Sequence, residues 1–310
     1  MVQAATGSGL EYYVVDVFTS VPYAGNPLAL VLGADHLTTE QMQQMALEFH
    51  LSETAFPIAP TDDERARGVA YRLRIFTPEV ELPFAGHPSV GTAWVMARLG
   101  RVPVGTVVQA CGAGELPLTV APDGGPVELT GGTPTWSEPV DPLPLLAAVG
   151  LDATDLDAAD GRAARVCGTG LGYGIVSVRP DALARCVPDA GRLSAFAHPV
   201  SEATGVYVVA WDGAARLARA RMFAGDVGVL EDAATGSAAL ALGVWLVVSG
   251  QVAAGHGPSS TGYEVRQGVE MGRPAVLSCT VEAGDGVPTS VRVKGDVVFV
   301  AKGRISPPSP

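Results

Sequence analysis

The chain has 310 residues, enough for one large domain or two of ordinary size. Its formal net charge is −12 at pH 7 and it has no cluster of basic residues, so its composition argues against a nucleic-acid partner. The four cysteines, Cys111, Cys167, Cys186 and Cys279, are widely spaced without a Cys-x-x-Cys pair, so neither a zinc site nor a disulfide framework is predicted.

The N-terminal segment, residues 1–9, lacks the basic and apolar regions of a signal peptide. The most apolar stretch is Ala238–Val248, with 11 residues. A membrane span needs about 20. We therefore expect a soluble cytoplasmic protein that makes no membrane contact.

The first half of the chain combines short apolar strands with two helices. A capped helix is predicted from residue 40 to about 50, and a second helix at 87–99 is almost wholly apolar, which is typical of a buried helix. The charged residues 61–68 indicate a hairpin turn. Strands are predicted at 12–18, 28–32, 69–76, 106–110 and 116–120.

The second half follows a linker predicted at residues 131–143 and repeats the pattern. Its buried helix is predicted at 237–249, and short helices at 143–149 and 153–159. Many short strands around one apolar helix, twice over, predict an α+β fold rather than a doubly wound parallel sheet. The strands are predicted at 167–178, 205–211, 217–223, 264–266, 275–280 and 290–300.

A short segment occurs once in each half. Arg72–Phe76 is followed by Glu81–Pro88, and Arg219–Phe223 is followed by Glu231–Ala238, each leading into an apolar run. The repeat predicts two similar halves and a cleft between them to which each half supplies a polar residue.

Glycine begins the predicted buried helix in both copies, at Gly86 and Gly236. The first turn of a helix has unpartnered N–H groups and partial positive charge, and glycine lets a ligand approach closely. Glycine could also simply begin a packed helix. The matching positions in both copies favour a site for a carboxylate or enolate.

Three side chains near these segments could move a proton: Glu53, His87 and Asp232. From the residues alone, Glu53 is better explained as a solvated residue at the end of a helix. Asp232 could equally have a cap-like role, and His87 could be a first-turn residue bonded to the backbone. Desolvation can keep a carboxyl group in such a place protonated, or poised as a base.

The order of the motifs resembles that of a known family, the PhzF-like isomerases of phenazine biosynthesis, within the wider diaminopimelate-epimerase-like fold. The resemblance covers residues 11–303. It rests on Gly25-Asn26-Pro27, Leu51-Ser52-Glu53-Thr54, Ile75-Phe76-Thr77-Pro78, Glu81-Leu82-Pro83-Phe84-Ala85-Gly86-His87-Pro88 and Glu231-Asp232 with Ala234-Thr235-Gly236-Ser237-Ala238.

The resemblance implies an α+β fold of two pseudo-symmetric domains, each an antiparallel barrel-like sheet around a central buried helix. The domains would be residues 10–131 with about 296–305, and residues 132–295, with the active site between them. A homodimer with no metal or organic cofactor is implied. The implied catalytic residues are Glu53, His87 and Asp232, and the implied substrate-binding residues are Gly86, Gly236, Ser237 and Thr235.

One comparison within that fold bears on the chemistry. Two-thiol epimerases place a cysteine before each helix-start glycine, where this chain has Ala85 and Thr235. A two-cysteine mechanism is therefore not available, which supports Glu53 as general acid and base. Ala233 stands where a proline is common in the family, and we expect a small effect from that difference.

The leading hypothesis is a cofactor-independent isomerase of a small unsaturated or cyclic carboxylic or amino acid, and the resemblance implies a role in secondary metabolism. Glu53 would take a proton from one carbon and return it to another. The alternatives are an epimerase or racemase that acts at a single carbon, and a non-catalytic carboxylate-binding protein. His50 and Glu53 are three residues apart without further ligands, so no metal site is predicted.

Overall fold

The structure is a computed structural model that describes residues 9–157, 159, 162–197, 203–225, 229–252 and 257–309. Most of the N-terminal segment, residues 1–8, lies outside the described residues. The chain divides into two compact units, one of residues 1–23, 27–127 and 296–310 and the other of residues 24–26 and 128–295. The sequence division differs in placing its boundary after residue 131 and in assigning 24–26 to the first half.

The first unit has one sheet with strand order β18-β1-β2-β3-β4-β6-β7, and the two-residue β5 pairs with β4. Its helices are α1 (Thr39–Phe49), α2 (Asp62–Ala66) and α3 (Gly86–Arg98). Its strands are β1 (Leu10–Val17), β2 (Asn26–Val31), β3 (Glu53–Ile58), β4 (Val69–Phe76), β5 (Glu81–Leu82), β6 (Gly105–Cys111), β7 (Gly114–Val120) and β18 (Val297–Ile305).

The second unit repeats this plan, with strand order β9-β10-β11-β12-β13-β15-β16-β17 and a two-residue β14 on β13. Its helices are α4 (Pro142–Ala148), α5 (Ala190–Ala197) and α6 (Gly236–Val248), with 3₁₀ turns at Ala153–Asp155 and Pro180–Arg185. Its strands are β8 (Val127–Thr130), β9 (Thr135–Trp136), β10 (Arg165–Gly168), β11 (Gly172–Ser177), β12 (Ala203–Asp212), β13 (Leu217–Phe223), β14 (Glu231–Asp232), β15 (Pro258–Gln267), β16 (Ala275–Gly284) and β17 (Val287–Gly295).

The predicted α+β class is confirmed, but the sheets are mixed and not wholly antiparallel. β2 pairs with β3, and β4 with β6, in parallel. In the second unit β11 pairs with β12, and β13 with β15, in the same way. Parallel neighbours need a crossover connection. Helices α1, α3, α5 and α6 lie within these four crossovers.

Several local predictions were wrong. The helix predicted at 153–159 is a 3₁₀ turn at Ala153–Asp155, and the strand predicted at 167–178 is the two strands β10 and β11. Residues 61–68 contain the short helix α2, because Thr61 and Glu64 form a reciprocal capping box at its start. The strand predicted at 290–300 is two strands that break at Asp296. β17 ends at Gly295 and β18 begins at Val297. Between them, the Asp296 carbonyl accepts hydrogen bonds from the N–H groups of Phe18 (2.8 Å) and Thr19 (3.2 Å), just after β1.

Each unit is built around one fully buried helix. All residues from Gly86 to Met96 of α3 are buried, and α3 contacts β1, β3, β7 and β18. All residues from Gly236 to Val247 of α6 are buried, and α6 contacts β9, β10, β11, β16 and β17. Each helix touches strands near both ends of its own sheet, so each sheet curves around its helix. Among the described residues, no helix has the length and apolarity needed to cross a bilayer.

Close packing around Gly243 in α6 predicts that a larger residue at this position lowers the free energy of unfolding. A Cβ at Gly243 would lie 2.4 Å from the Tyr263 hydroxyl and 2.7 Å from Val291 Cγ1. That hydroxyl donates to the Ala239 carbonyl at 2.7 Å, so it cannot move without losing a buried bond. We expect Gly243→Ala to lower the free energy of unfolding by about 1–3 kcal/mol through overpacking.

The measurement is urea unfolding of the variant beside the wild type. Helix propensity alone favours alanine over glycine by about 1 kcal/mol. A variant stabilised by that amount would show that the crowding around Gly243 is relieved without cost.

Candidate active site

Glu53 lies at a junction between a helix and a strand. Helix α1 begins at a capping box made by Thr38 and Gln41 and ends at His50, whose φ of 51° is in the left-handed region. The chain then enters β3 at Glu53, which aligns with Leu28 of the parallel strand β2. This register places the carboxyl group in a largely buried setting, with 13% of the side chain exposed.

His87, the second residue of α3, lies beside Glu53. Its Nε2 atom is 3.4 Å from Glu53 Oε2, and only 3% of the His87 side chain is exposed. Burial lowers the pKa of His87 to about 3, although its hydrogen bond to the Pro27 carbonyl acts in the opposite direction. The imidazole is therefore neutral at pH 7, and its contact with Glu53 is not an ion pair at that pH.

Asp232 lies on β14 in the second unit, and both carboxyl oxygens accept hydrogen bonds. Oδ1 accepts from Asn26 Nδ2 at 2.7 Å, and Oδ2 accepts from the Thr235 hydroxyl at 2.6 Å. Burial raises the pKa of Asp232 to about 6, while the bonds from Thr235, Asn26 and the Ala233 N–H oppose the rise. Asp232 therefore titrates near neutral pH, where either protonation state is accessible.

A buried glutamine fixes the direction of these bonds. Gln267 Nε2 donates to the Thr235 hydroxyl at 3.0 Å and to the main-chain carbonyl of Asp232 at 2.8 Å. Gln267 Oε1 accepts from the Tyr207 hydroxyl at 3.1 Å. Since a hydroxyl has one hydrogen, Thr235 accepts from Gln267 and donates to Asp232. The network thus directs a hydrogen-bond donor at Oδ2.

Asn26 completes the Asp232 cluster from a distant part of the chain. Its Nδ2 also donates to the Ala234 carbonyl at 2.9 Å, so both amide hydrogens are used. Arg273 donates to the carbonyls of Gly25 (2.9 Å) and Ala24 (3.0 Å), which holds this segment in place. The sequence motif Gly25-Asn26-Pro27 contained Asn26, but nothing in it indicated the bond to Asp232.

Ser237 lies in the first turn of α6, and its hydroxyl is 2.7 Å from the buried Tyr173 hydroxyl. The N-cap residues of α3 and α6, Ala85 and Thr235, make no side-chain cap bond. Helices α1, α2 and α4 do have side-chain caps. The N-cap side chains therefore do not occupy the first-turn N–H groups of these two helices, and helix N-termini are suited to bind oxygen atoms of a ligand.

The described residues contain no group of three or more histidine, cysteine, aspartate and glutamate side chains able to hold a metal ion. All four cysteines are free and buried. Burial raises the pKa of the Cys167 and Cys279 thiols to about 12, so these thiols are poor nucleophiles at neutral pH.

The structure thus groups the predicted residues into two clusters. Glu53 and His87 form one cluster in the first unit, beside the start of α3 at Gly86. Asp232 and Thr235 form the other in the second unit, where α6 starts at Gly236 and Ser237. Three further polar residues of the second cluster were not predicted from the sequence: Asn26, Tyr173 and Gln267.

The pKa shifts of His87 and Asp232 predict opposite effects of pH on the stability of the fold. Below pH 6.5 the unfolded chain protonates His87 while the folded chain does not until about pH 3, so this group destabilises the fold as the pH falls. Between about pH 6 and 3.8 the folded chain keeps a proton on Asp232 that the unfolded chain loses, so this group stabilises the fold as the pH falls.

Between pH 6 and about pH 4, His87→Gln should therefore gain stability relative to wild type as the pH falls, and Asp232→Asn should lose it. Each difference should change by up to about 1.4 kcal/mol per pH unit. Urea unfolding at several pH values measures this, with the exposed His50→Gln as the control for losing a histidine. Parallel curves for His87→Gln and wild type would contradict a buried neutral imidazole.

The N–H group of Ala233 contributes to the pKa of Asp232, which the sequence did not indicate. This N–H donates to the Asp232 carboxyl and lowers its pKa, and a proline at 233 has no N–H. Ala233→Pro should raise the pKa of Asp232 above about 6, whereas Ala233→Ser keeps the donor and should not. Carbon-13 NMR titration of the carboxyl group, assigned with Asp232→Asn, gives the answer. Equal pKa values of Asp232 in both variants would show that the Ala233 N–H does not lower this pKa.

The chain is similar to known proteins over nearly its whole length. The sequence profile of the family described as phenazine biosynthesis-like protein matches residues 15–303. The trans-2,3-dihydro-3-hydroxyanthranilate isomerase of Pseudomonas aeruginosa is 35% identical over 297 residues, which is 95% of this chain and 98% of that protein. The uncharacterized isomerase YddE of Escherichia coli K12 is 30% identical, over 94% of this chain and 96% of that protein.

Solved structures agree. A predicted epimerase from Pseudomonas aeruginosa is 32% identical with a TM-score of 0.77, covering 96% of this chain and 99% of that one. A PhzF-family protein from Bacillus anthracis shares the fold at 23% identity, with a TM-score of 0.81 and coverage of 96% and 99%. A probable proline racemase from Agrobacterium radiobacter shares the fold at 12% identity, with a TM-score of 0.63 and coverage of 96% and 93%. The chain therefore belongs to the phenazine biosynthesis-like (PhzF) family and is an isomerase.

Proposed function

We propose that this isomerase moves a proton between two carbon atoms of a small unsaturated or cyclic carboxylic or amino acid, without a cofactor, and that Glu53 carries the proton. The observation that supports this most is the contact between Glu53 Oε2 and His87 Nε2, 3.4 Å apart in a nearly dry setting. A carboxyl group that both takes and returns a proton needs a partner that does not lock it in one state. A neutral imidazole meets that need, whereas a fixed cation would hold Glu53 ionised.

The second cluster is assigned to substrate binding. Asp232 accepts hydrogen bonds on both oxygens and has a pKa near 6, so it can pair with an ammonium or hydroxyl group of the substrate. The Ser237 hydroxyl and the N–H groups at Gly236 and Gly86 are assigned to the substrate carboxylate and to charge that develops during proton transfer. Thr235 contributes to binding through its hydrogen bond to Asp232. His87 and Asp232 orient polar groups or relay the proton.

The name of one relative gives the proposal a specific substrate to test. Trans-2,3-dihydro-3-hydroxyanthranilate carries an amino group, a carboxylate and ring double bonds, which are the features that the two clusters are proposed to recognise. We propose this compound, or a close cyclic amino acid, as the substrate. We also propose that the protein acts in the cytoplasm, as a homodimer, in secondary metabolism.

Replacement of Glu53 tests the proton carrier. The wild type, given trans-2,3-dihydro-3-hydroxyanthranilate in D2O, should incorporate one deuterium at the carbon that gains the proton, with a change in ultraviolet absorption. Glu53→Gln keeps the shape but cannot carry the proton, so turnover should fall by at least about 10²-fold. The exposed Glu48→Gln loses the same charge and is the matched control. Deuterium incorporation at the wild-type rate in folded Glu53→Gln would refute the assignment.

A second function is favoured by one comparison. The structural relative at 32% identity is described as a predicted epimerase. An epimerase would return the proton to the carbon that lost it. Deuterium at that same carbon, with loss of optical rotation and unchanged ultraviolet absorption, would select this alternative over the double-bond shift.

A further inference from the structure

The repeated segment contains an ion pair that the proposed chemistry does not use. In the second unit, Arg221 on β13 binds Glu231 on β14 in a bidentate pair, with Nε to Oε1 at 2.7 Å and Nη2 to Oε2 at 2.8 Å. Arg221 Nη1 also donates to the carbonyls of Leu183 (2.7 Å) and Cys186 (3.1 Å). The guanidinium lies 4.9 Å from the centroid of the Phe223 ring. Only 8% of the Arg221 side chain is exposed.

The first unit has the same arrangement at the matching residues. Arg74 on β4 binds Glu81 on β5 through Nε to Oε1 (2.8 Å) and Nη2 to Oε2 (2.7 Å). Arg74 Nη2 also donates to the Thr39 hydroxyl at 2.9 Å. Its guanidinium lies 5.1 Å from the centroid of the Phe76 ring. We call each set of arginine, glutamate and phenylalanine a clamp.

Sheet register explains why both clamps form. Glu231 aligns with Phe223, and Glu81 aligns with Phe76. The arginine lies two residues before the phenylalanine in each case and so projects from the same face of the sheet, as a diagonal neighbour of the glutamate.

Each clamp stabilises a strand that is too short to be held in place by its own backbone hydrogen bonds. β5 and β14 have two residues each, and a ladder of that length contributes few hydrogen bonds. A bidentate arginine–carboxylate pair fixes both distance and orientation. Asp232 directly follows Glu231, and His87 follows Glu81 by six positions through the chain that enters α3.

We propose that the two clamps are positioning devices for the loops that carry His87 and Asp232, and that Arg74, Glu81, Arg221 and Glu231 are positioning residues of the isomerase. The functional part of this proposal rests on the roles given above to His87 and Asp232. The second clamp is the more buried one, since the side chains of Arg74 and Glu81 are 22% and 37% exposed. Loss of the second clamp should therefore have the larger effect.

The chain offers a matched control for each clamp. Arg219 and Arg72 occupy the first arginine position of the repeat, two residues before Arg221 and Arg74 on the same strands. Each forms a single-contact ion pair, Arg219 with Glu270 at 2.6 Å and Arg72 with Glu64 at 3.3 Å. These pairs lie outside β5 and β14, so breaking them should leave both loops in place.

The test compares Arg221→Lys and Glu231→Gln with Arg219→Lys, using measurements that need no substrate. Hydrogen exchange of the amides from Asp232 to Ser237 should quicken by about tenfold or more in both clamp variants, because the local opening of this loop becomes easier. In Arg221→Lys the carbon-13 titration of Asp232 should move from about 6 toward its ordinary value as water reaches the carboxyl group. The Glu231 charge also raises the pKa of Asp232, so Glu231→Gln is compared by hydrogen exchange alone. Arg219→Lys should change neither.

A general loss of stability would quicken exchange in β15 and β16 as much as in the Asp232 loop, and that result would overturn the proposal. So would clamp variants that match Arg219→Lys in both measurements. Glu231→Gln keeps the shape of the side chain, so its hydrogen exchange serves as the test if Arg221→Lys does not fold. Because no turnover is measured, failure of the proposed reaction would leave this test intact.

Catalysis then tests the functional part, with a substrate that the wild type turns over. Arg221→Lys should raise KM by about tenfold, since the second cluster binds substrate, and Arg74→Lys should lower kcat, since the first cluster transfers the proton. Arg72→Lys and Arg219→Lys are the controls. A fall in kcat of equal size in both clamp variants, at unchanged KM, would show a merely structural role.

Discussion

Burial of the first turns of α3 and α6 is the constraint on which the candidate site depends. Each helix is enclosed by its own sheet, so side chains at its start lose contact with water. Desolvation outweighs the hydrogen bonds that oppose it at both shifted groups. At His87 it overcomes the bond to the Pro27 carbonyl, and at Asp232 it overcomes bonds from Asn26, Thr235 and Ala233. The same fold that stabilises each unit therefore sets the protonation states on which the proposed proton transfer depends.

The internal repeat divides backbone features from side-chain features. Both copies share a two-residue strand, an arginine–glutamate pair and a helix that starts at glycine without a side-chain cap. The residues that bear chemistry differ, with His87 after one glycine and Ser237 after the other. The shared parts hold the backbone in place, and the differing side chains after the glycines account for the separate roles that we propose for proton transfer and for binding.

One short stretch of chain serves both clusters. Asn26 donates to Asp232, and the next residue, Pro27, accepts from His87 through its carbonyl. Leu28 then aligns with Glu53 in the parallel pair of β2 and β3. These three contacts give the Gly25-Asn26-Pro27 motif a physical explanation. A substitution of Asn26 would remove a hydrogen bond to Asp232, whereas the bond of His87 is to a main-chain carbonyl.

The sequence predicted the features that depend on local pattern. The two buried helices and most strands follow from apolar periodicity, and the glycine before each helix marked its start. β5 and β14 were not predicted because two residues carry no periodicity. The bonds of Asp232 to Asn26 and of Gln267 to Thr235 join residues far apart in sequence, so no local signal records them. The neutral state of His87 depends on burial by the whole sheet, which only the structure shows.

The central claim is that burial keeps His87 neutral beside Glu53, and nitrogen-15 NMR of the imidazole tests it most directly. Labelled protein should show the shifts of a neutral ring with one protonated nitrogen at pH 7, and the same pattern as the pH falls to about 4. A transition to the imidazolium pattern near the ordinary histidine pKa of 6.5 would contradict the account.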